Sequence, residues 1–308
     1  MARYALRRIA QAIPIAFLVA TLVFSLIHLI PGDPVEIMLG EGAQAADLEA
    51  LRARLGLDKP LGEQYFSFLR GLVRGDLGNS IHYQRPVTEL LLESYPATLE
   101  LALASMLVAL LLAVPLGLVA AANRDGILDH GSRLFALTGV SMPNFWLGPM
   151  LILAFSIHWN LFPVSGREGW SSLVLPAITL GTALSGLLTR MVRSSVVEEL
   201  EKPYFRSARA KGLARNQALI RHALKNALIP VLTVVGLQFG ALLTGAIITE
   251  TIFSWPGLGR LLIQAIRLRD YPLVQGGILV IAVTYVLVNL ATDLFYAVLD
   301  PRIRFRAD

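Results

Sequence analysis

The sequence predicts an all-α, polytopic membrane protein with six transmembrane helices and a helical loop on the outer side of the bilayer. Three observations predict it. The 308 residues are 55% hydrophobic and only 16% charged, against about 25% charged in a soluble domain, and the mean hydropathy is +0.61. The apolar residues gather in uncharged or nearly uncharged stretches of the length, about 20 residues, that a helix needs to cross the hydrocarbon core. The segments between them are polar and rich in turn formers. A chain this apolar needs lipid to cover its surface.

The stretches fall at 9–30, 101–122, 134–155, 173–189, 227–248 and 276–299. The first, second and fifth carry no charge. The third carries none but contains Asn144. The fourth is shorter and ends against Arg190 and Arg193. The sixth holds one acid, Asp293. Lipid offers no hydrogen-bond partners, so each stretch closes its backbone only as a helix. The first stretch, preceded by Arg3, Arg7 and Arg8, resembles a signal peptide, with Ala43-Gln44-Ala45 as a cleavage site. Its apolar run exceeds the 7–15 residues of a signal core, and the small-residue site lies well beyond its end. An uncleaved anchor is expected.

Basic residues orient the chain, because Lys and Arg concentrate in cytoplasmic loops. With the N-terminus in the cytoplasm, most of the 27 Lys and Arg residues fall on the inner side, although that side has the smaller share of loop. Both termini are then cytoplasmic. The resulting organisation is 1–30 as cytoplasmic N-terminus and first span, 31–96 as outer helical loop, 97–299 as a five-helix core with a cytoplasmic segment at 196–226, and 300–308 as a cytoplasmic tail. The net charge of +5 sits where topology requires it, which disfavours a nucleic-acid partner.

The outer loop opens with Pro31-Gly32-Asp33-Pro34, a helix stop and turn. Asp47 is a candidate cap for a short helix with Leu48, Leu51 and Leu55 on one face, ended by Gly56. A second helix is expected after Lys59-Pro60, with Tyr65, Phe68, Leu69 and Leu72 on its apolar side. Gly75 to Ser80 reads as a turn. Such a loop either packs over the helix ends or forms a platform that receives a delivery protein.

The cytoplasmic segment carries Lys202, Arg206, Arg209, Lys211, Arg215, Arg221 and Lys225. Pro203 suits the first turn of a helix, and Gly212 suits the left-handed residue that ends one. Tyr204, Phe205 and Ala208 would line one face, with Arg206 and Arg209 turned away. A short helix that is apolar on one side and basic on the other fits a partner's groove or a bed of anionic headgroups equally well.

Enzyme chemistry has no support in the sequence. There is no cysteine, and the five histidines are scattered. There is no Gly-Lys pair for a phosphate-binding loop, no Gly-x-Ser-x-Gly elbow and no His-Glu-x-x-His. Leu184-Ser185-Gly186 is a chance match to the start of an ATPase signature, buried in an apolar span. An intramembrane enzyme is disfavoured by these absences. An ion-coupled transporter is disfavoured by the lack of matched, interrupted repeats and of more than one clear intramembrane acid.

The chain resembles, over nearly its whole length, the membrane subunits of ATP-binding-cassette importers in the dipeptide, oligopeptide, glutathione and nickel branch. The resemblance rests on Leu29-Ile30-Pro31-Gly32-Asp33-Pro34, Leu55-Gly56-Leu57-Asp58-Lys59-Pro60-Leu61 with Gln64-Tyr65, and Pro96-Ala97-Thr98-Leu99-Glu100-Leu101. It continues through Ser141-Met142-Pro143-Asn144-Phe145-Trp146 and Ala208-Arg209-Ala210-Lys211-Gly212-Leu213. It ends with Phe253-Ser254-Trp255-Pro256-Gly257-Leu258-Gly259-Arg260, Arg269-Asp270-Tyr271-Pro272 and Leu299-Asp300-Pro301-Arg302.

The resemblance favours the partner groove for the cytoplasmic helix. In this superfamily a Glu-Ala-Ala segment, followed by Gly after three residues, forms the coupling helix that sits in the ATPase. The corresponding positions here are Arg206, Ser207 and Ala208 before Gly212; Ala208 and Gly212 match, and the glutamate and first alanine do not. The implied coupling residues are Tyr204, Phe205, Arg206, Ser207, Ala208, Arg209, Ala210, Lys211 and Gly212. The implied partners are a similar second permease, two cytoplasmic ATPases that hold ATP and magnesium, and an extracytoplasmic substrate-binding protein. The chain itself would bind no cofactor or metal. It would sit in the inner or plasma membrane and move di- or oligopeptides or glutathione, with a nickel chelate as the alternative.

Polar groups in the spans are expensive in lipid and usually functional. Asn144, Gln238, Glu250, Asn289 and Asp293 are the pathway candidates. Three of them have a plainer reading: a structural pair for Asp293, an interfacial acid in water for Glu250, repair of proline-freed hydrogen bonds for Asn144. Gly236-x-x-x-Gly240 allows close helix approach, and Trp255-Pro256-Gly257 reads as an interfacial anchor and turn.

Overall fold

A computed structural model describes residues 2–29, 34–39 and 44–299. Pro31, Gly32 and Asp33 of the expected turn, and the tail 300–308, lie outside the described residues. Those residues form helices and no named strand; one isolated bridge joins Asn79 and Pro86.

The helices are α1 (Ala2–Leu29), α2 (Pro34–Leu39), α3 (Ala45–Leu55), α4 (Leu61–Val73), α5 (Val87–Ala122), α6 (Ile127–Ser141) and α7 (Asn144–Leu151), the last continued by a π-helical turn at Ile152–His158. Then come α8 (Ser171–Glu201), α9 (Pro203–Ala210), α10 (Arg215–Ala218) with a π-helical turn at Leu219–Ala223, α11 (Leu224–Gly245), α12 (Ile247–Ile252), α13 (Leu258–Arg267) and α14 (Tyr271–Leu299). Among the described residues, 4 helices are long and apolar enough to cross a membrane: Val87–Ala122, Ser171–Glu201, Arg215–Leu243 and Tyr271–Phe295. The apolar part of α1, Ala10–Ser25, is a shorter match. This set is compatible with the expected number of spans.

The third expected span is corrected. Residues 134–155 are not one helix: α6 and α7 meet at an angle of 99° across Met142-Pro143. Pro143 forces the residue before it out of helical backbone, and Met142 is extended at φ −79, ψ 118. The fourth span is longer than expected, because Arg190 and Arg193 end the apolar run without ending the helix, which reaches Glu201. Charge stops a hydrocarbon crossing, not helical backbone. The fifth span is likewise part of a longer helix, α11, which begins at Leu224 and contains Pro230.

The centre of the bundle is α5 against α8, the most extensive contact between described elements. Leu101, Ala102, Met106, Ala109 and Ala113 of α5 share one buried cluster with Leu180, Leu188, Val192 and Val196 of α8. Glycines bring the backbones together. A β-carbon on Gly181 would lie 2.8 Å from Ser105 O, and one on Gly117 would lie 2.7 Å from Val192. Small residues at such contacts are how membrane helices pack when lipid is as apolar as leucine. The same rule operates between α11 and α14, where a β-carbon on Gly236 would collide with Thr292 and one on Gly240 would lie 3.0 Å from Tyr285.

In the segment before α5, α4 packs on α1: Tyr65 and Phe68 stand against Phe24 with ring centroids 5.2 and 5.6 Å apart, and the Thr21 and Tyr65 hydroxyls are 2.7 Å apart. Helix α3 ends at Gly56, which is left-handed at φ 68, as expected. Its cap is Gln44 rather than Asp47, which sits inside the first turn. The turn before α5 is pinned by Asp270, a buried carboxylate that accepts hydrogen bonds from Ser80 Oγ at 2.5 Å and from the His82 amide at 3.1 Å.

Filling the α11–α14 contact is expected to weaken the bundle. Gly236→Leu should lower stability by about 1–3 kcal/mol, the usual range for overpacking. Replacing the neighbouring exposed Leu237 by Ala should change it little. Thermal unfolding of the detergent-solubilised chain measures both.

Candidate coupling segment and buried polar sites

The candidate coupling segment begins where α8 ends. Lys202 is extended, Pro203 fills the first position of α9, and Gly212 closes the turn at φ 90. That angle is strained for any residue with a β-carbon. Gly212 N donates to Arg209 O at 3.0 Å, and Arg209 Nη1 donates to Leu213 O at 2.7 Å. The first of these bonds occupies a carbonyl that the helix end would otherwise leave open, and the second ties the helix to the residue after Gly212.

Amphipathicity has the expected period but a different use. Phe205 is buried with Ala218, Leu219 and Ala223, and Tyr204, Ala208, Leu118, Ala122 and Leu200 pack around them. The apolar face of α9 is therefore seated on its own chain, at the ends of α5 and α8 and on the π turn before α11. The surface left for a partner is Arg206, Ser207, Arg209, Ala210, Lys211 and Gly212, all exposed. The expectation that Phe205 helps fill a partner's groove is corrected on this ground; it anchors the helix instead.

Polar contacts fix α9 further. Glu199, almost fully buried, accepts from Lys202 Nζ at 2.6 Å and from the Tyr204 hydroxyl at 2.5 Å. Asn226 Nδ2 donates to the Tyr204 oxygen at 3.3 Å. The carboxylate holds the Lys202 ammonium above its ordinary pKa. Burial, with the same carboxylate, pushes the Tyr204 hydroxyl up. Both groups keep their protons at neutral pH, so α8, α9 and the start of α11 stay joined.

The pathway candidates separate into two groups. Asn144 opens α7, which packs on α12, the helix that carries Glu250. Gln238, Asn289 and Asp293 lie half-buried on α11 and α14. Asn144 Oδ1 and Asn289 Oδ1 are buried without a hydrogen-bond partner. Buried acceptors left open in this way are uncommon and call for a ligand, water or movement.

Glu250 is not an interfacial acid in water. It is fully buried and accepts from Thr98 Oγ1 at 2.7 Å and from the Arg260 amide at 2.9 Å. Trp255 is not an interfacial anchor either. It is fully buried, its Nε1 donates to Ala97 O at 2.7 Å, and Arg167 lies over its ring. Together Glu250 and Trp255 fasten the α12–α13 turn to α5 beside Pro96. The Gly257 and Gly259 positions leave no room for a β-carbon beside Glu250, which accounts for glycine at both.

One site escapes a reading of the sequence. Asp129, on the first turn of α6, is fully buried. Arg193 of α8 grips it with Nε at 2.7 Å and Nη2 at 2.6 Å, and Arg133 grips it with Nε at 3.0 Å and Nη2 at 2.5 Å. The Asp125 amide adds a fifth bond at 2.9 Å. The i, i+4 spacing of Asp129 and Arg133 is visible in the sequence; the fork from Arg193 is not. A cavity of about 410 Å³ also lies among α1, α4 and the start of α14, lined by residues including Phe24, His28, Gln64, Asn79 and Gln275; none of the pathway candidates lines it. Among the described residues no cluster of His, Asp and Glu could hold a metal ion.

Comparison with known proteins agrees with this architecture. Residues 113–305 match the family model described as binding-protein-dependent transport system inner membrane component, and residues 1–102 match its N-terminal companion. The chain is 46% identical to the dipeptide transport system permease protein DppB of Escherichia coli (strain K12), covering 99% of this chain and 100% of that protein. It is 40% identical to the glutathione transport system permease protein GsiC of the same strain, with the same coverage. Among solved structures, a chain of the inward-facing MetNI methionine ABC transporter matches with a TM-score of 0.55 at 20% identity, covering 68% of this chain and 96% of that one. A chain of an amino acid ABC transporter with histidines matches with a TM-score of 0.51 at 16% identity, covering 70% and 94%. The two family models span nearly the whole sequence, and the chain belongs to the family of binding-protein-dependent transport system inner membrane components, the membrane permease subunits of ABC transporters.

Proposed function

We propose that this chain is one of two permease subunits of an ATP-driven importer for di- or oligopeptides or glutathione. A binding protein delivers the substrate on the outer side, and two ATPase subunits dock on the cytoplasmic side. The relatives named for dipeptide and glutathione transport, each similar over its full length, support the substrate class. The second permease, the binding protein and the ATPases follow from the family.

The observation that carries the coupling role is the exposed ridge from Arg206 to Gly212, held on a helix whose other face is sealed by Phe205 and tied by Glu199. A rigid, basic, solvent-facing helix end transmits force in both directions without bending. ATP binding would close the ATPases, swing α9 and turn the pathway outward; hydrolysis would return it. The chain supplies no nucleotide chemistry. Its part is to bind, move and release.

Two outcomes test this reading. The chain has no cysteine, so Arg209→Cys provides a single thiol. A membrane-impermeant thiol reagent should label it in inside-out vesicles and not in right-side-out cells; the reverse pattern would place α9 outside and end the proposal. In the assembled transporter, Ala208→Glu and Gly212→Val should each leave membrane insertion intact while cutting substrate uptake at least about fivefold, the lower end of typical coupling between sites. Uptake at the normal rate in both would remove the coupling assignment.

A further inference from the structure

We infer that Asp129 is a positioning residue that makes the cytoplasmic half of the broken helix, α6, move as one body with α8, so that the Met142-Pro143 break is where motion of the coupling segment is absorbed. The inference rests on the coupling role proposed above for α9.

The Asp129 site joins two elements and not one. Arg193 reaches it from α8 with both arms of its guanidinium, and Arg133 reaches it from α6. Arg133 also lies 3.5 Å from Asp125, which Arg124 meets at 3.8 Å, and Arg124 in turn pairs with Glu201 at 2.7 Å, so three acids face three bases and the cluster is balanced in charge. Paired forks of this kind define orientation as well as distance. A fully buried carboxylate stripped of either partner becomes strongly unfavourable, which keeps the clamp closed whenever the two helices are folded.

Packing above the clamp removes the remaining freedom. A β-carbon on Gly139 of α6 would lie 3.0 Å from Thr182 O of α8, and one on Gly186 of α8 would collide with Ala136 O of α6. The two backbones touch along their length and cannot slide or part without a void. At its lower end α8 runs straight to Glu199, which holds Lys202 and Tyr204 of the coupling segment. The connection is continuous: α9 to Glu199, along α8 to Arg193, across to Asp129, and up α6 to Ser141. There the rigid path stops. Met142 is extended and α7 leaves at 99°. Beyond the break Asn144 Oδ1 is buried and unpaired, a group whose bonding is open to change when α7 turns. Rigid elements joined through two extended residues, Met142 and Pro143, form a hinge.

The clamp is tested in the complete transporter, reconstituted with its ATPases, second permease and binding protein. Spin labels on Leu137→Cys of α6 and Leu187→Cys of α8, both exposed positions, should report the same distance in nucleotide-free and ATP-trapped states. Labels on Leu187→Cys and Leu153→Cys, across the break, should report a change. Asp129→Asn and Arg193→Lys should each broaden the Leu137–Leu187 distance and raise ATP hydrolysed per substrate transported by at least about fivefold, with Asp129→Glu restoring part of the ratio. A Leu137–Leu187 distance that changes between states in the parent, or an unchanged ATP-to-substrate ratio in both Asp129→Asn and Arg193→Lys, would overturn the inference. A parent complex lacking ATP-dependent uptake would instead overturn the importer reading beneath it.

Discussion

Close contact between α5 and α8 is the constraint on which the rest of the molecule depends. In a bilayer the hydrophobic effect does not drive helices together, because lipid tails cover apolar side chains as well as protein does. Association therefore needs surfaces that let backbones meet. Gly117, Gly181, Ala102, Ala109 and Ala113 make that surface here. Once α5 and α8 are joined, each remaining element has a seat: α6 on α8 through Gly139 and Gly186, α13 on α5, α11 beside both, and α14 on α11 through Gly236 and Gly240.

Polar side chains then fasten what small residues bring near, and they do so at the two ends of the bundle. At one end Glu250 and Trp255 hold α12–α13 to α5, and Asp270 holds the turn before α5 to the start of α14. At the other end Glu199 holds α9 to α8, and Asp129 holds α6 to α8. Each is a buried or nearly buried acid whose oxygens accept several donors. Unpaired, such groups are costly in a low-dielectric interior; paired, they resist shear between helices better than apolar contacts do. The Oδ1 atoms of Asn144 and Asn289, buried without a partner, belong to none of these ties.

Elements governed by local chemistry could be read from the sequence. Gly56 and Gly212 end helices in the left-handed conformation, Pro203 begins one, and Gly236 and Gly240 pack a neighbour. What depends on distant partners could not be read. Arg190 and Arg193 end the apolar run without ending the helix, and that Arg193 meets Asp129, 64 residues away in sequence, has no local signal. Trp255 has the composition of an interfacial anchor; its burial depends on Ala97 O and Arg167. The amphipathic period of α9 was visible, but period alone does not say whether the apolar face meets a partner or the same chain. Phe205 meets Leu219 and Ala223. The third span shows a local signal outweighed by an apolar run: Pro143 was in view, and its effect on Met142 is a bend of the whole span.

The central claim is that the ridge beside Gly212 is where a separate ATPase grips this chain. A photo-crosslinking residue at Arg206, in the transporter assembled in native membranes, tests it most directly. The account predicts a covalent product between this chain and the ATPase subunit, with a yield that changes when ATP is trapped. Cross-linking only to lipid, or to a protein on the outer face, would contradict it.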